Sequence, residues 1–138
     1  VWFGEQMAGL ANVDPIILTL ANVSLISLLT ELTSNVATTE MILPILAGLS
    51  VTIKLNPLLL MIPATLASSL AFMLPVATPP NAIIFGTNRI LVKDMVKTGF
   101  LLNLVGIIII TVVMYFWGTF VFNIDVNVFP NWAVTGKL

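Results

Sequence analysis

An all-α membrane fold is what this sequence predicts: a re-entrant helical hairpin, a discontinuous transmembrane helix, a short basic amphipathic helix and one full transmembrane helix. Three observations lead there. Hydrophobic residues make up 59% of the chain and charged residues 8%, with a mean hydropathy of +1.12, so polar side chains are too few to cover a water-facing surface. A polar stretch, Thr30 to Glu40, separates two apolar runs that are each short for an ordinary crossing. A second polar break, Ala77-Thr78-Pro79-Pro80-Asn81-Ala82, is walled in by apolar sequence on both sides.

Composition also excludes chemistry. The chain has no Cys and no His, which removes thiolate and imidazole metal sites, haem ligation, disulfides and His-based proton relays, so an enzyme is not expected. A net charge of −1 without a basic block offers nucleic acid nothing to bind. The chain opens on Val1 without a methionine, basic leader or cleavage site, and is read as a piece of a longer protein whose N-terminal half lies outside it.

Residues 1–14 carry Trp2, Phe3, Glu5 and Gln6, a mixture suited to an interfacial lead-in. Asp14-Pro15 pairs a capping carboxylate with a proline at the first helical position and starts a helix. Between Asp14 and Glu31 lie 16 uncharged residues, and between Glu40 and Lys54 lie 13, interrupted by Pro44. A comfortable helical crossing needs about 20. Two short arms joined by a polar tip near 33–37 describe a re-entrant hairpin over 15–55, in which backbone at depth is tolerated because it is buried in protein or lines a cavity. The alternative is one long kinked span with Glu31 or Glu40 at an interface.

Asn56-Pro57 repeats the cap-then-proline signal and opens 34 residues, Leu55 to Asn88, without a charge. Pro75, Pro79 and Pro80 remove backbone donors and push their predecessors out of helical conformation. A broken transmembrane helix is therefore expected over 56–87, with its break at 75–81. Arg89, Lys93 and Lys97 recur every four residues beside apolar neighbours, which reads as an amphipathic helix over 88–97, on the cytoplasmic side by its positive charge. Residues 98–122 form the full span, with Trp117, Phe120 and Phe122 as an aromatic belt, and 123–138 an extracytoplasmic tail.

Helices that start inside a membrane expose unpaired N–H groups and a positive dipole end, and both the second hairpin arm, from about Asn35, and the second half of the broken helix, from about Thr78, would aim theirs at one place. That arrangement suits a carboxylate. The carbonyls left by the arm ending near Thr30 to Ser34, and by the half-helix ending near Val76 and Ala77, suit a hard monovalent cation. Asn35 stands first among the candidates, since its amide can donate to a carboxylate while its carbonyl accepts or coordinates; a purely capping role is the alternative. Glu31 and Glu40 are expected to face water at the hairpin mouth or to pair with basic residues outside this chain, and neither is assigned a ligand role. Asn103, alone in the last helix, reads as an interhelical hydrogen bond.

Thr33-Ser34-Asn35-Val36-Ala37-Thr38-Thr39, then Ala71-Phe72-Met73-Leu74-Pro75-Val76-Ala77-Thr78-Pro79-Pro80-Asn81-Ala82-Ile83, then Val92-Lys93-Asp94-Met95-Val96-Lys97-Thr98-Gly99 resemble the C-terminal half of the divalent anion:sodium symporters, the sodium-coupled dicarboxylate and citrate transporters. The resemblance runs from about Val13 through the tail. It implies half of an inverted-repeat elevator carrier, usually a homodimer, in a plasma or bacterial inner membrane, moving succinate, malate or citrate with sodium. By matching position it implies Ser34, Asn35, Val36, Thr78 and Pro79 on the substrate side, and Thr30, Thr33, Asn35 and Ala77 around sodium, the alanine through its main-chain oxygen. Val36 departs from the threonine of many members and removes one hydroxyl from the substrate side. The other hairpin tip, the other sodium site and the dimerising scaffold are not in this chain. Two rivals stay open: a sodium-independent dicarboxylate exchanger of the same family, and a non-transporting, channel-like membrane subunit in which the breaks are packing kinks.

Overall fold

The structure, a computed structural model, describes residues 13–126 and 128–134. Trp2, Phe3, Glu5 and Gln6 of the expected lead-in, and the tail beyond 134, lie outside the described residues.

The described chain is helical, and its first boundaries follow local capping chemistry. Asp14 accepts the Ile16 N–H at 3.0 Å and opens α1 (Pro15–Thr30). Four residues, Glu31 to Ser34, turn the chain into α2 (Asn35–Ile53). At the far end Lys54 takes the left-handed conformation (φ 56°) and the Leu55 N–H reaches back to the Ser50 carbonyl at 3.0 Å, a Schellman-type close. Asn56 then accepts the Leu58 N–H at 3.1 Å and starts α3 (Pro57–Ala67). Residues 15–53 form a helix, a turn and a second helix, and the second arm differs from expectation. Pro44 does not shorten the second arm: α2 runs through it for 19 residues, long and apolar enough to cross a membrane, whereas α1 has 16. A mid-helix proline removes one backbone bond and bends a helix without ending it when packing holds both sides.

The break in the next helix lies earlier than the prolines predict. Instead of running to Leu74 and opening over 75–81, α3 stops at Ala67, and helix resumes as α4 (Pro79–Gly86). Past Ala67 the Ser69 and Leu70 N–H groups close tight turns onto the Leu66 and Ala67 carbonyls at 3.1 and 2.9 Å. The N–H groups of Phe72, Met73 and Leu74, which would have let helix resume, bond instead to the Glu31 carboxylate at 2.8 to 3.1 Å. Ser68 helps to end the helix by turning its hydroxyl onto the Thr65 carbonyl at 2.8 Å. The prolines act on the other side of the break, where Pro79 and Pro80 begin α4.

The separate surface helix expected over 88–97 is not separate. Arg89 sits in the connection, while Lys93 and Lys97 occupy the opening turns of α5 (Val92–Val113), which continues through a π-helical turn, Met114–Gly118, into Thr119–Val121. No proline interrupts the sequence from Val92 to Val121, and the helix runs through Thr98 and Gly99 without a stop. A short helix, α6 (Asn131–Val134), follows.

Packing is inverted relative to a water-soluble bundle. α3 lies against α1, α2 and α5. The core joins Val23 and Ile26 of α1, Leu46 of α2 and Leu59, Leu60 and Ala64 of α3, with Ile107 and Ile110 of α5 packed on it. Yet the same interior holds Thr19, Ser27, Thr30, Glu31, Ser50 and Asn103, while Leu28, Met41, Ile109, Phe116 and Trp117 face outward. Polar groups inside and large apolar ones outside are what a lipid solvent selects.

Glycines let α5 approach the break. A Cβ at Gly99 would lie 2.3 Å from the Phe72 carbonyl oxygen, and one at Gly106 would lie 2.8 Å from a Leu70 methyl, whereas one at Gly48 would meet nothing within 4 Å. In the full-length protein Gly99→Ala should therefore cost about 1–3 kcal/mol through overpacking against backbone. Gly48→Ala should instead be neutral or stabilise by up to about 1 kcal/mol through helix propensity. Thermal unfolding of both variants in one detergent checks the contrast.

Candidate functional site

Two of the capped helix starts, at Asp14 and Asn56, satisfy their own first N–H groups. The starts at Ser34 and Thr78 do not: neither side chain makes a capping bond, although serine and threonine are good N-caps. These two uncapped starts line one cleft. Its walls are Leu32, Thr33, Ser34, Asn35 and Val36 from the hairpin turn and Val76, Ala77, Thr78 and Pro79 from the break, around about 410 Å³. All five residues implied on the substrate side are therefore gathered, together with Thr33 and Ala77 of the cation set. Val36 and Val76 are 65% and 80% exposed, so apolar side chains stand at the cleft rather than plug it.

The donors are uneven. Around Ser34 the helix start contributes the backbone N–H groups of Asn35, Val36 and Ala37, since the first intrahelical bond is Thr38 N–H to the Ser34 carbonyl at 2.8 Å. On the other side Pro79 and Pro80 carry no N–H, so α4 contributes mainly its dipole end and the Thr78 hydroxyl.

Thr30 does not line the cleft. It is fully buried behind the turn, where its hydroxyl oxygen stands 2.7 Å from Asn35 Oδ1 and 2.6 Å from the Ser68 carbonyl oxygen. One hydroxyl proton cannot serve both acceptors fully, so three oxygens converge with one hydrogen among them. That donor set suits a hard monovalent cation more than a second anion. The Thr33 hydroxyl is used locally, bonding the Leu29 carbonyl at 2.9 Å and the Thr38 hydroxyl at 2.5 Å. One correction concerns the carbonyls expected from a half-helix ending at Val76 and Ala77. No helix ends there; the Ala77 N–H closes a turn on the Leu74 carbonyl at 3.2 Å, and the extra oxygen near Thr30 comes from Ser68, just past the true end of α3.

Sequence reasoning missed Ser68, Thr39 and the role of Glu31. Ser68 Oγ also accepts from Thr39 Oγ1 at 2.7 Å, tying α2 to the end of α3. The available signal was that Thr39 falls one turn after Asn35, on the same face. Glu31 neither faces water nor waits for a basic partner: it is 2% exposed, and its carboxylate accepts from Phe72, Met73 and Leu74 N–H and from Asn103 Nδ2 at 2.8 Å. Asn103 makes a long-range bond, as its isolation predicts, but to the turn after α1 rather than to another helix. Asn81 closes the arrangement, donating to the carbonyls of Ala71 and Leu74 at 2.9 and 3.0 Å and so fastening α4 to the break. Glu40 is exposed.

A helical chain with an apolar exterior, a polar interior and helices long and apolar enough to cross a membrane defines an integral membrane protein. The chain belongs to the family described as the sodium:sulfate symporter transmembrane region, which matches residues 1–124. Among its relatives are the Na(+)/citrate cotransporter of Rattus norvegicus, 50% identical over 132 residues that cover 96% of this chain and 23% of the relative. The sodium-dependent dicarboxylate transporter of Staphylococcus saprophyticus is 50% identical over 126 residues, 91% of this chain and 24% of the relative. The Na(+)/dicarboxylate cotransporter 3 of Homo sapiens is 45% identical over 133 residues, 96% of this chain and 22% of the relative. The chain thus spans less than a quarter of the length of these relatives.

If the cleft joins the two breaks, cysteines placed by Val36→Cys and Val76→Cys in a cysteine-free full-length background should be bridged by a short bifunctional thiol reagent. The check is a mass shift of a peptide pair; single labelling of both cysteines without any bridge would refute the shared cleft.

Proposed function

We propose that the full-length protein is a sodium-coupled carrier of di- or tricarboxylates such as succinate, malate or citrate, and that this chain is the C-terminal part of its transport domain. The observation that carries the proposal is the pair of uncapped helix starts, at Ser34 and Thr78, on the walls of one cleft. The Ser34 start supplies roughly half an elementary positive charge together with its free N–H groups, the Thr78 start adds its hydroxyl and a weaker dipole end, and a carboxylate takes the place of the missing caps. The names of the relatives support the substrate class, since they are called citrate and dicarboxylate cotransporters.

In this reading Ser34, Asn35, Val36, Thr78 and Pro79 bound the anion, and Thr30, Thr33, Asn35 and Ala77 surround sodium, with the Ser68 carbonyl added to that shell. Asn35 belongs to both sets because its amide has two ends. An oxygen drawn toward Thr30 turns the NH₂ end away from it and toward the cleft. Sodium on the oxygen side therefore fixes the donor that the carboxylate needs, and the carboxylate in turn holds the oxygen in place for sodium. Such mutual coupling is typically about 1–3 kcal/mol and acts equally in both directions. The arms of the hairpin re-enter the bilayer rather than cross it, and the domain moves as a rigid unit in an elevator-type homodimer of the plasma or bacterial inner membrane.

Uptake of radiolabelled succinate by the full-length protein, with sodium replaced by choline, tests the reading directly. Choline should abolish accumulation, and uptake that persists undiminished would favour sodium-independent exchange instead. Asn35→Ala should abolish uptake at unchanged surface amount. Thr78→Val, by removing one hydroxyl bond to a charged ligand, should raise KM about tenfold or more; identical concentration dependence in variant and wild type would contradict it.

A further inference from the structure

We infer that Asn103, on a helix that supplies no ligand to the cleft, is a positioning residue for it, acting through Glu31 on the shape of the break. This rests on the reading of the cleft as a carboxylate site. Asn103 is 3% exposed, and its two polar ends are used very differently. Nδ2 donates to Glu31 Oε1 at 2.8 Å, while Oδ1 is buried with no hydrogen-bond partner among the described residues. A burden is carried at one end, so what the side chain contributes is the bond at the other.

That bond meets a carboxylate placed between the two halves of the cleft. Glu31 follows Thr30 directly and begins the turn that ends in Ser34 and Asn35. Its oxygens hold the N–H groups of Phe72, Met73 and Leu74, the strand of chain that leads to Thr78. Asn81 fastens the start of α4 to the carbonyls of the same strand. A continuous polar path therefore runs from Asn103 through Glu31 to the break and on to Thr78 and Pro79. Gly99 and Gly106, one turn to either side of Asn103, remove the side chains that would hold α5 off the Phe72 carbonyl and the Leu70 side chain. Their contact keeps the amide within reach of the carboxylate. Without the amide, the buried Glu31 carboxylate loses its tie to α5 and one of the donors that offset its burial, so it leaves its place more readily and releases the 72–74 segment, and with it the wall that carries Thr78.

The test uses Asn103→Leu and Asn103→Ala in the purified and membrane-expressed full-length protein. Amide hydrogen exchange of the peptide spanning 70–76 should quicken about tenfold or more in both variants, as expected when a bond to a charged group is lost, while exchange in α1 stays as in wild type. KM for the carboxylate should rise about tenfold, with Vmax per surface molecule changed less than twofold, a split that a packing defect does not produce. Unchanged exchange at 70–76, an unchanged KM, or a fall in Vmax alone would overturn the proposal. So would failure of both variants to accumulate as folded protein, which would make Asn103 a folding residue. Should wild type itself show no sodium-dependent uptake, the transport reading fails, and the exchange rates alone decide the positioning role.

Discussion

A buried carboxylate that binds backbone rather than a base governs this structure. Glu31 is almost wholly out of solvent, and its partners are three consecutive backbone amides and one side-chain amide. Removing a carboxylate from water costs several kcal/mol even after relaxation, and charge-assisted hydrogen bonds of about 1.5–3 kcal/mol each offset that cost when enough of them converge. Here the oxygens are fully used. The consequence reaches beyond Glu31, because amides bonded to it cannot also serve a helix, and none resumes before Pro79 although apolar sequence runs on.

The same interaction joins three parts that the chain order keeps apart. The hairpin turn carries Glu31 itself, the break supplies the amides, and α5 supplies Asn103. The turn and the break are also the two walls of the cleft, so the same carboxylate ties those walls to each other. Two capped starts, at Asp14 and Asn56, close themselves, while the uncapped starts at Ser34 and Thr78 line the cleft. At Ser34, a start that could have capped itself and does not leaves its donors for something else.

Buried hydroxyls elsewhere in the bundle serve their own helices: Thr19 and Ser50 return theirs to carbonyls one turn back, the ordinary arrangement in apolar helices. Thr30 departs from it: its hydroxyl leaves α1 and meets oxygens from the turn and from α3. That departure distinguishes a group available to a cation from one that merely satisfies its own helix.

What could be read from residues alone was whatever depends on neighbours a few positions away. Asp14-Pro15 and Asn56-Pro57 marked helix starts because a cap bonds two residues on, and both bonds are present. Pro79-Pro80 marked a helix start because proline's fixed φ and missing N–H suit the first helical positions, and the isolation of Asn103 among apolar residues foretold a bond to a distant part of the chain. The end of α3, the environment of Glu31, the part played by Ser68 and the fusion of the basic segment with α5 were decided by tertiary structure. Glu31 meets its backbone partners across 41 to 43 residues, and Thr30 meets Ser68 across 38. No local pattern announces which distant amides a carboxylate will collect. Once it collects them, they are lost to the helix they would otherwise have prolonged, and only the packed arrangement of α1, α3 and α5 settles where that happens.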